Sequence, residues 1–167
     1  MLPQFDYLDI IWCRATRSQL NSIDTLYKKV AKITLNVDMR EPSLNVYQRM
    51  KWLPLHLRRQ LHLSTYMYKI INGFAPTAFI SKFAYVSGGT RDADRCNLYL
   101  PKSKSHKIFS YLGAKCWNSL SMDMRTAESI DKFSSCLKLA FINEVSSNGS
   151  FQTNNSFDYF HAVAKSD

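Results

Sequence analysis

"WLPLHLRRQLHLSTYMYKIING", residues 52–73, is the stretch that decides the fold. Its apolar residues recur at helical spacing over a wide arc, which predicts a helix from about Pro54 to Asn72. Proline suits the first turn of a helix, because its missing N–H costs nothing there. Gly73 fits the C-terminal stop, and Pro76 prevents the helix from continuing. A helix that is apolar over so much of its surface packs on several sides, so we expect it to be the central one.

A second amphipathic helix is predicted in the stretch "SQLNSIDTLYKKVAKITLNV", residues 18–37, with Ser18 or Ser22 as its cap. Its apolar positions at helical spacing are Ile23, Leu26, Tyr27, Val30, Ile33 and Val37. Three lysines cluster on another side of the same helix. Further helices are predicted at residues 7–15, 43–50, 77–83 and 129–144, and a short one is predicted from about Gly113.

The predicted fold class is therefore mainly α. It consists of a single helical domain of about five or six helices over residues 1–145, followed by a flexible polar tail at 146–167. We expect at most a small β-hairpin near residues 97–111, between the alternating stretches "NLYL" and "KIFSY". The residues expected in the core are Trp12, Leu26, Val30, Trp52, Leu61, Tyr68, Ile71, Trp117, Phe133 and Leu137.

Charge indicates the class of partner. The 167 residues include 22 basic and 13 acidic ones, which gives a net charge of +9. This balance favours a polyanion, with nucleic acid ahead of an acidic membrane surface. A basic but inert surface stays open as the alternative. The chain has no apolar run close to the roughly 18 residues that span a bilayer, so we expect no membrane partner.

The N-terminus and the cysteines predict an intracellular protein, in the nucleus or cytoplasm. Asp6 and Asp9 stand where a signal peptide has its basic region. Without an export signal, free thiols are the expected state of the cysteines. Those residues are Cys13, Cys96, Cys116 and Cys136. Their spacing matches no zinc motif, so we expect neither a metal nor a cofactor.

Catalytic constellations are not predicted either. A polymerase palm holds two metal ions on paired aspartates, whereas Asp92 and Asp94 lie in a polar, Gly-rich loop. His56 and His62 are six residues apart on the predicted central helix and so do not share one face closely. We therefore expect satisfied surface histidines, no catalytic residue and no enzyme activity in this chain.

Basic side chains are the candidate binding residues, because each can neutralise a phosphate. The candidates are Lys28, Lys29, Lys32, Arg58, Arg59, Lys102, Lys104 and Lys107. Tyr66, Phe109 and Tyr111 could stack on bases if they are exposed. The alternative is that the lysines form a solvated face and that the aromatic rings belong to the core.

The stretch "GAKCWNSLSMDMR", residues 113–125, is interpreted as a structural joint. Trp117 is expected to plug the core between this turn and the last helix. Its indole N–H and the Asn118 amide can satisfy nearby backbone groups.

The order of these blocks resembles the C-terminal region of reverse transcriptases from LINE-type (non-LTR, Jockey-like) retrotransposons, downstream of the palm. Family landmarks match in order over roughly Tyr7–Asn143. The matching positions are Trp52, Leu53, Pro54, Leu55 and Arg58, then Tyr68, Lys69, Ile70, Gly73 and Pro76, then Thr90 and Arg91, and finally Phe109, Gly113, Trp117, Asn118 and Leu120. Ser121 departs from the family's proline, and Lys28 and Lys32 depart from its usual Gln or Arg.

This resemblance implies a parent RNA-directed DNA polymerase of which the chain is a non-catalytic C-terminal fragment, because the fingers, the palm aspartates and any endonuclease are missing from it. The expected function is weak, non-specific RNA or DNA binding through basic helix faces. The alternative is a helical interaction or self-association module, acting through an exposed apolar face and without nucleic-acid binding.

Overall fold

The computed structural model describes residues 3–6, 9–12, 15–89, 91, 96–102 and 109–147. Their order of helices confirms the prediction of a mainly α fold. Five helices in these ranges have eight or more residues, as the sequence led us to expect. The helices are α1 (Pro3–Asp6), α2 (Asp9–Trp12), α3 (Arg17–Leu35), α4 (Ser43–Met50), α5 (Leu55–Ile71), α6 (Thr77–Ile80), α7 (Phe109–Asn118), α8 (Met122–Arg125) and α9 (Ile130–Ser147).

The described chain divides into two compact units. The first contains the described residues up to Arg59 and those from Lys138 onward, and the second is Gln60–Leu137. Helix α9 runs two residues past the predicted end of the domain at residue 145. The remainder of the predicted tail lies outside the described residues. No helix in the described ranges combines the length and apolar character needed to span a bilayer.

The first unit is built around Tyr27 on α3. Its buried core consists of Tyr27, Ala31, Val46, Tyr47 and Leu55. The Tyr27 hydroxyl donates a hydrogen bond of 3.0 Å to the carbonyl oxygen of Leu53. Burial raises the pKa of Tyr27 to about 12, so the phenol stays protonated at neutral pH. The Trp52 ring, predicted to be in the core, is partly buried with its centroid 5.8 Å from that of Tyr27.

The buried face of α3 differs from the predicted one. Leu20, Tyr27 and Ala31 are buried, whereas Leu26 is 55% exposed and Ile33 is 65% exposed. The expectation that Leu26 lies in the core is therefore wrong. The predicted apolar positions of α3 span about 120° of the helix, given about 100° per residue, and the core around Tyr27 covers only one side of this arc.

Local hydrogen bonds and left-handed residues define the ends of helices α3, α4 and α5. Thr16, rather than Ser18 or Ser22, caps α3 in a capping box with Gln19. At its C-terminus, Asn36 adopts a left-handed conformation with φ 52°. Lys51 after α4 has the same φ of 52°, and Gly73 after α5 has φ 78°. All three helices thus end in the αL closure that usually carries glycine.

The second unit is built around four of the predicted core residues. Tyr68, Trp117, Phe133 and Leu137 are buried. The ring centroids of Tyr68 and Phe133 are 4.7 Å apart, and Trp117 stacks on Phe133 at 6.4 Å. Leu61 is also buried, and Ile71 is partly buried. Of the other predicted core residues, which belong to the first unit, Val30 is partly buried and the side chain of Trp12 lies outside the described residues.

The small hairpin near residues 97–111 does not form in the described part of that range. Leu98 instead makes an isolated antiparallel bridge with Tyr85, flanked by two backbone hydrogen bonds of 2.8 Å. Phe109, Ser110 and Tyr111 of the "KIFSY" stretch open helix α7. Residues 103–108 lie outside the described chain. Helical packing of Tyr111 and Leu112 against the core overrides the short alternating pattern.

Candidate nucleic-acid interface

Helix α3 brings three of the predicted binding lysines onto one side. Lys28, Lys29 and Lys32 span an arc of about 100° on the side of the helix away from buried Tyr27 and Ala31, given about 100° per residue. Lys29 is exposed, while Lys28 and Lys32 are partly exposed. The sequence could predict this grouping, because the spacing alone sets it.

Two of these lysines already have partners on the protein. The Lys28 Nζ lies 2.5 Å from an Asp24 carboxylate oxygen, four residues earlier on the same helix. Lys32 Nζ donates a 2.7 Å hydrogen bond to the Met39 carbonyl oxygen, which holds the loop after α3. A surface pair of the Asp24–Lys28 kind is worth about 0.3–0.5 kcal/mol. A phosphate can therefore replace the carboxylate at little cost.

Arg58 is occupied by a structural ion pair. Its Nε and Nη2 donate to the two carboxylate oxygens of Asp6, the second at 2.5 Å, and the pair is partly buried. This bidentate bond raises the pKa of Arg58 and ties α1 to α5. Arg59, its neighbour, is only 8% exposed. Because Arg58 is partly buried in its pair with Asp6 and Arg59 is buried, both favour a structural role over phosphate contact.

The remaining predicted cations are less informative. Lys102 is exposed, whereas Lys104 and Lys107 lie outside the described residues. Lys102 thus keeps its place among the candidates on exposure alone. The phosphate-contacting role of all three stays a prediction.

The aromatic candidates form a packed cluster. Tyr66 and Phe109 are partly buried and lie edge-on to each other with centroids 5.8 Å apart, and both contact Phe79. Tyr111 is buried. Their faces are engaged by neighbouring rings, so they resemble a satellite core under α6 more than a base-stacking platform.

Several side-chain hydrogen bonds hold the stretch 113–125 in the second unit. The Asn118 side chain accepts from the Leu98 N–H at 2.7 Å and donates to the Leu98 carbonyl at 2.8 Å. It therefore occupies the place of a neighbouring strand on the outer side of the Tyr85–Leu98 bridge. The expectation that this amide satisfies backbone groups is confirmed. The Trp117 indole N–H, in contrast, is buried without a hydrogen-bond partner among the described residues.

Arg125 completes this joint, and sequence reasoning did not assign it a role. Its guanidinium donates to the Leu120 carbonyl at 3.0 Å, to the Asn118 carbonyl at 2.7 Å and to the Asn97 side chain at 3.0 Å. Arg125 is the last residue of α8, and nothing in the neighbouring sequence indicates that its side chain makes these contacts. The bond to Asn97 depends on the approach of residues 96–98, which no spacing rule predicts.

The contact between Ser64 and Cys116 does not favour a nucleophilic cysteine. The Ser64 hydroxyl and the Cys116 thiol are 3.0 Å apart and buried. Burial raises the pKa of Cys116 to about 11, so the thiol stays protonated, whereas a nucleophilic cysteine needs a lowered pKa. Burial likewise lowers the pKa of His56 to about 4, which leaves it uncharged at neutral pH.

Comparison with protein-family models, with curated proteins and with solved structures finds no match to this chain.

Proposed function

We propose that this protein binds RNA or DNA weakly and with little sequence preference, through the basic side of α3. One observation carries the proposal: Lys28, Lys29 and Lys32 lie together on the side of α3 away from its buried face, in a chain of net charge +9. Lysines contact phosphate rather than base edges, so this surface fits the nucleic-acid backbone.

The affinity on this proposal comes from counterion release. Each phosphate that a lysine neutralises frees condensed cations and adds about −0.7 to the log–log salt slope on single strands. Three contacts on α3 give a slope of about −2, and contacts from Lys102, Lys104 and Lys107 would steepen it. Arg58 and Arg59 are left out, because the fold already engages them.

Filter binding of single-stranded RNA over a range of salt concentrations tests the proposal. The triple variant Lys28→Gln, Lys29→Gln, Lys32→Gln should weaken binding to all sequences alike and flatten the slope by about 2. The matched control removes the same charge from three exposed lysines on other segments, Lys69, Lys82 and Lys138. Equal losses in both triple variants, or no retention of RNA by the parent chain at low salt, would contradict a site on α3.

We also propose that the chain is a non-catalytic part related to the C-terminal region of non-LTR retrotransposon reverse transcriptases. The ordered landmarks from Trp52 to Leu120 support this parentage. The structure gives two of them physical reasons, the αL closure at Gly73 and the amide bridge of Asn118. Primer extension on an RNA template in the presence of Mg²⁺ tests for polymerase activity. An extended product would contradict the proposal that the chain is non-catalytic.

A second candidate function is association with another protein. The observation that favours it is the exposure of Leu26 and Ile33 on α3, two large apolar side chains seven residues apart. Neighbouring exposed apolar residues mark interaction surfaces.

A further inference from the structure

Three apolar side chains on α3 form a stripe that the described residues leave largely uncovered, with Val30 partly buried between two exposed neighbours. Leu26, Val30 and Ile33 follow spacings of four and three residues, and Leu26 and Ile33 are more than half exposed. This is the spacing of the contact seam in coiled coils. Two residues seven apart stay aligned to within about 20°, so a second helix lying along α3 could contact both.

Positive charge lies along one side of this stripe. Lys29 lies beside it, with Lys28 and Lys32 farther around the helix, and α3 carries four basic residues and one acidic residue in total. Charged residues that flank an apolar seam set the choice of partner helix. The surface therefore combines a requirement for apolar contact with a requirement for negative charge.

We infer that the Leu26–Val30–Ile33 stripe of α3 is a docking site for an acidic amphipathic helix of another protein. This inference deepens the second candidate function by giving its partner a chemistry. A second copy of this chain fits less well, because pairing through the same stripe brings Lys29 and its neighbours against one another. Nucleic acid would use the lysines but leave Leu26 and Ile33 in water.

A synthetic helix provides the probe. We suggest a peptide of three heptads with leucine at a and d and glutamate at e and g, since glutamate at these positions keeps the peptide from pairing with itself at neutral pH. A counterpart with lysine at e and g tests the charge requirement. A scrambled peptide of the same composition tests the apolar seam.

Fluorescence anisotropy of each labelled peptide is measured against the full chain. The glutamate peptide should bind at least about tenfold more tightly than the lysine and scrambled peptides. The double variant Leu26→Ser, Ile33→Ser should weaken its binding at least about tenfold. Leu139→Ser, at a leucine that is 59% exposed on α9, is the matched control and should change it less than about twofold.

Circular dichroism must show the parent helix content in both variants, as expected for exposed positions.

Three results would overturn the inference. The first is no difference between the glutamate and lysine peptides, or no binding of either at about 100 µM. The second is a dimer of the parent chain in sedimentation that Leu26→Ser, Ile33→Ser abolishes. The third is an RNA affinity that falls in this variant as much as in the lysine triple variant. Retained RNA binding with lost peptide binding would support both proposals.

Discussion

The sulfur of Met67 on α5 lies 2.5 Å from the position that a Cβ atom would take on Gly113 of α7. Only a residue without a side chain lets the two helices approach this closely. Met67 is fully buried, and Phe83 lies 3.3 Å from the same position, so the sulfur has little room to withdraw. Gly113 is thus a packing glycine inside a helix.

Gly113→Ala should lower the free energy of unfolding by about 1–3 kcal/mol, because overpacking outweighs alanine's better helix propensity. Urea denaturation measures the change. Gly89→Ala is the control, since nothing lies within 4 Å of its added Cβ. If Gly113→Ala is neutral or stabilising, the close approach of α5 and α7 is wrong.

Lys51→Gly should stabilise the protein by about 0.5–1 kcal/mol. Lys51 has φ 52°, where an L side chain is strained and glycine is not. Gly73→Ala, at φ 78°, should destabilise by a similar amount. Thermal unfolding measures both, with Lys51→Gln as the control for loss of charge. A Lys51→Gly variant less stable than Lys51→Gln would contradict the αL closure of α4.

His56 should make stability fall in mild acid. Burial is the main reason that the pKa of His56 falls from 6.5 to about 4. The charges of Arg59 and Lys28 lower this pKa further, and that of Asp24 opposes them. The unfolded chain therefore binds the proton more readily, and the contribution of neutral His56 is complete above about pH 6.5 and lost as the pH falls towards 4. His56→Gln should remove up to about 3 kcal/mol of this pH dependence. Parallel curves for parent and variant between pH 7 and 4 would show that His56 is accessible to water.

Asn118→Ala should destabilise by about 2 kcal/mol, because it leaves the N–H and the carbonyl of Leu98 without their partners. Asn45→Ala is the control, since the Asn45 side chain is exposed and, within the described residues, donates a hydrogen bond only to the Glu41 carboxylate. Amide hydrogen exchange gives the sharper readout. Exchange at Leu98 should accelerate in Asn118→Ala, and unchanged protection there would exclude the amide bridge.

Arg58→Gln should reduce stability by about 1–2 kcal/mol while leaving RNA affinity and its salt slope unchanged. The reason is the partly buried bidentate pair with Asp6. Asp6→Asn should have a comparable effect, and the double variant should cost less than the sum of the two. A flattened salt slope in a folded Arg58→Gln protein would return this arginine to the phosphate-binding set.

Helix α5 could be predicted nearly to the residue, because Pro54 and Gly73 are local signals at its two ends. The buried face of α3 could not be predicted, because six apolar positions compete and distant residues of α1, α4 and α5 decide which of them are covered. The role of Arg58 depends on a carboxylate 52 residues away in the chain. The lysines of α3 were predictable as a group, since neighbouring positions on one helix need no distant partner.

The amide bridge has a consequence for which substitutions residue 98 can accept. Both hydrogen bonds of the Asn118 side chain join it to main-chain atoms of residue 98, so they do not depend on the side chain at that position. With respect to this contact alone, proline is the one substitution at 98 that is forbidden, because it lacks the N–H. Tyr99 and Leu100, which are exposed, can change without touching the joint. We therefore expect substitutions at Asn118 to be tolerated far less than substitutions at Tyr99 or Leu100, because only Asn118 holds the main chain of the segment.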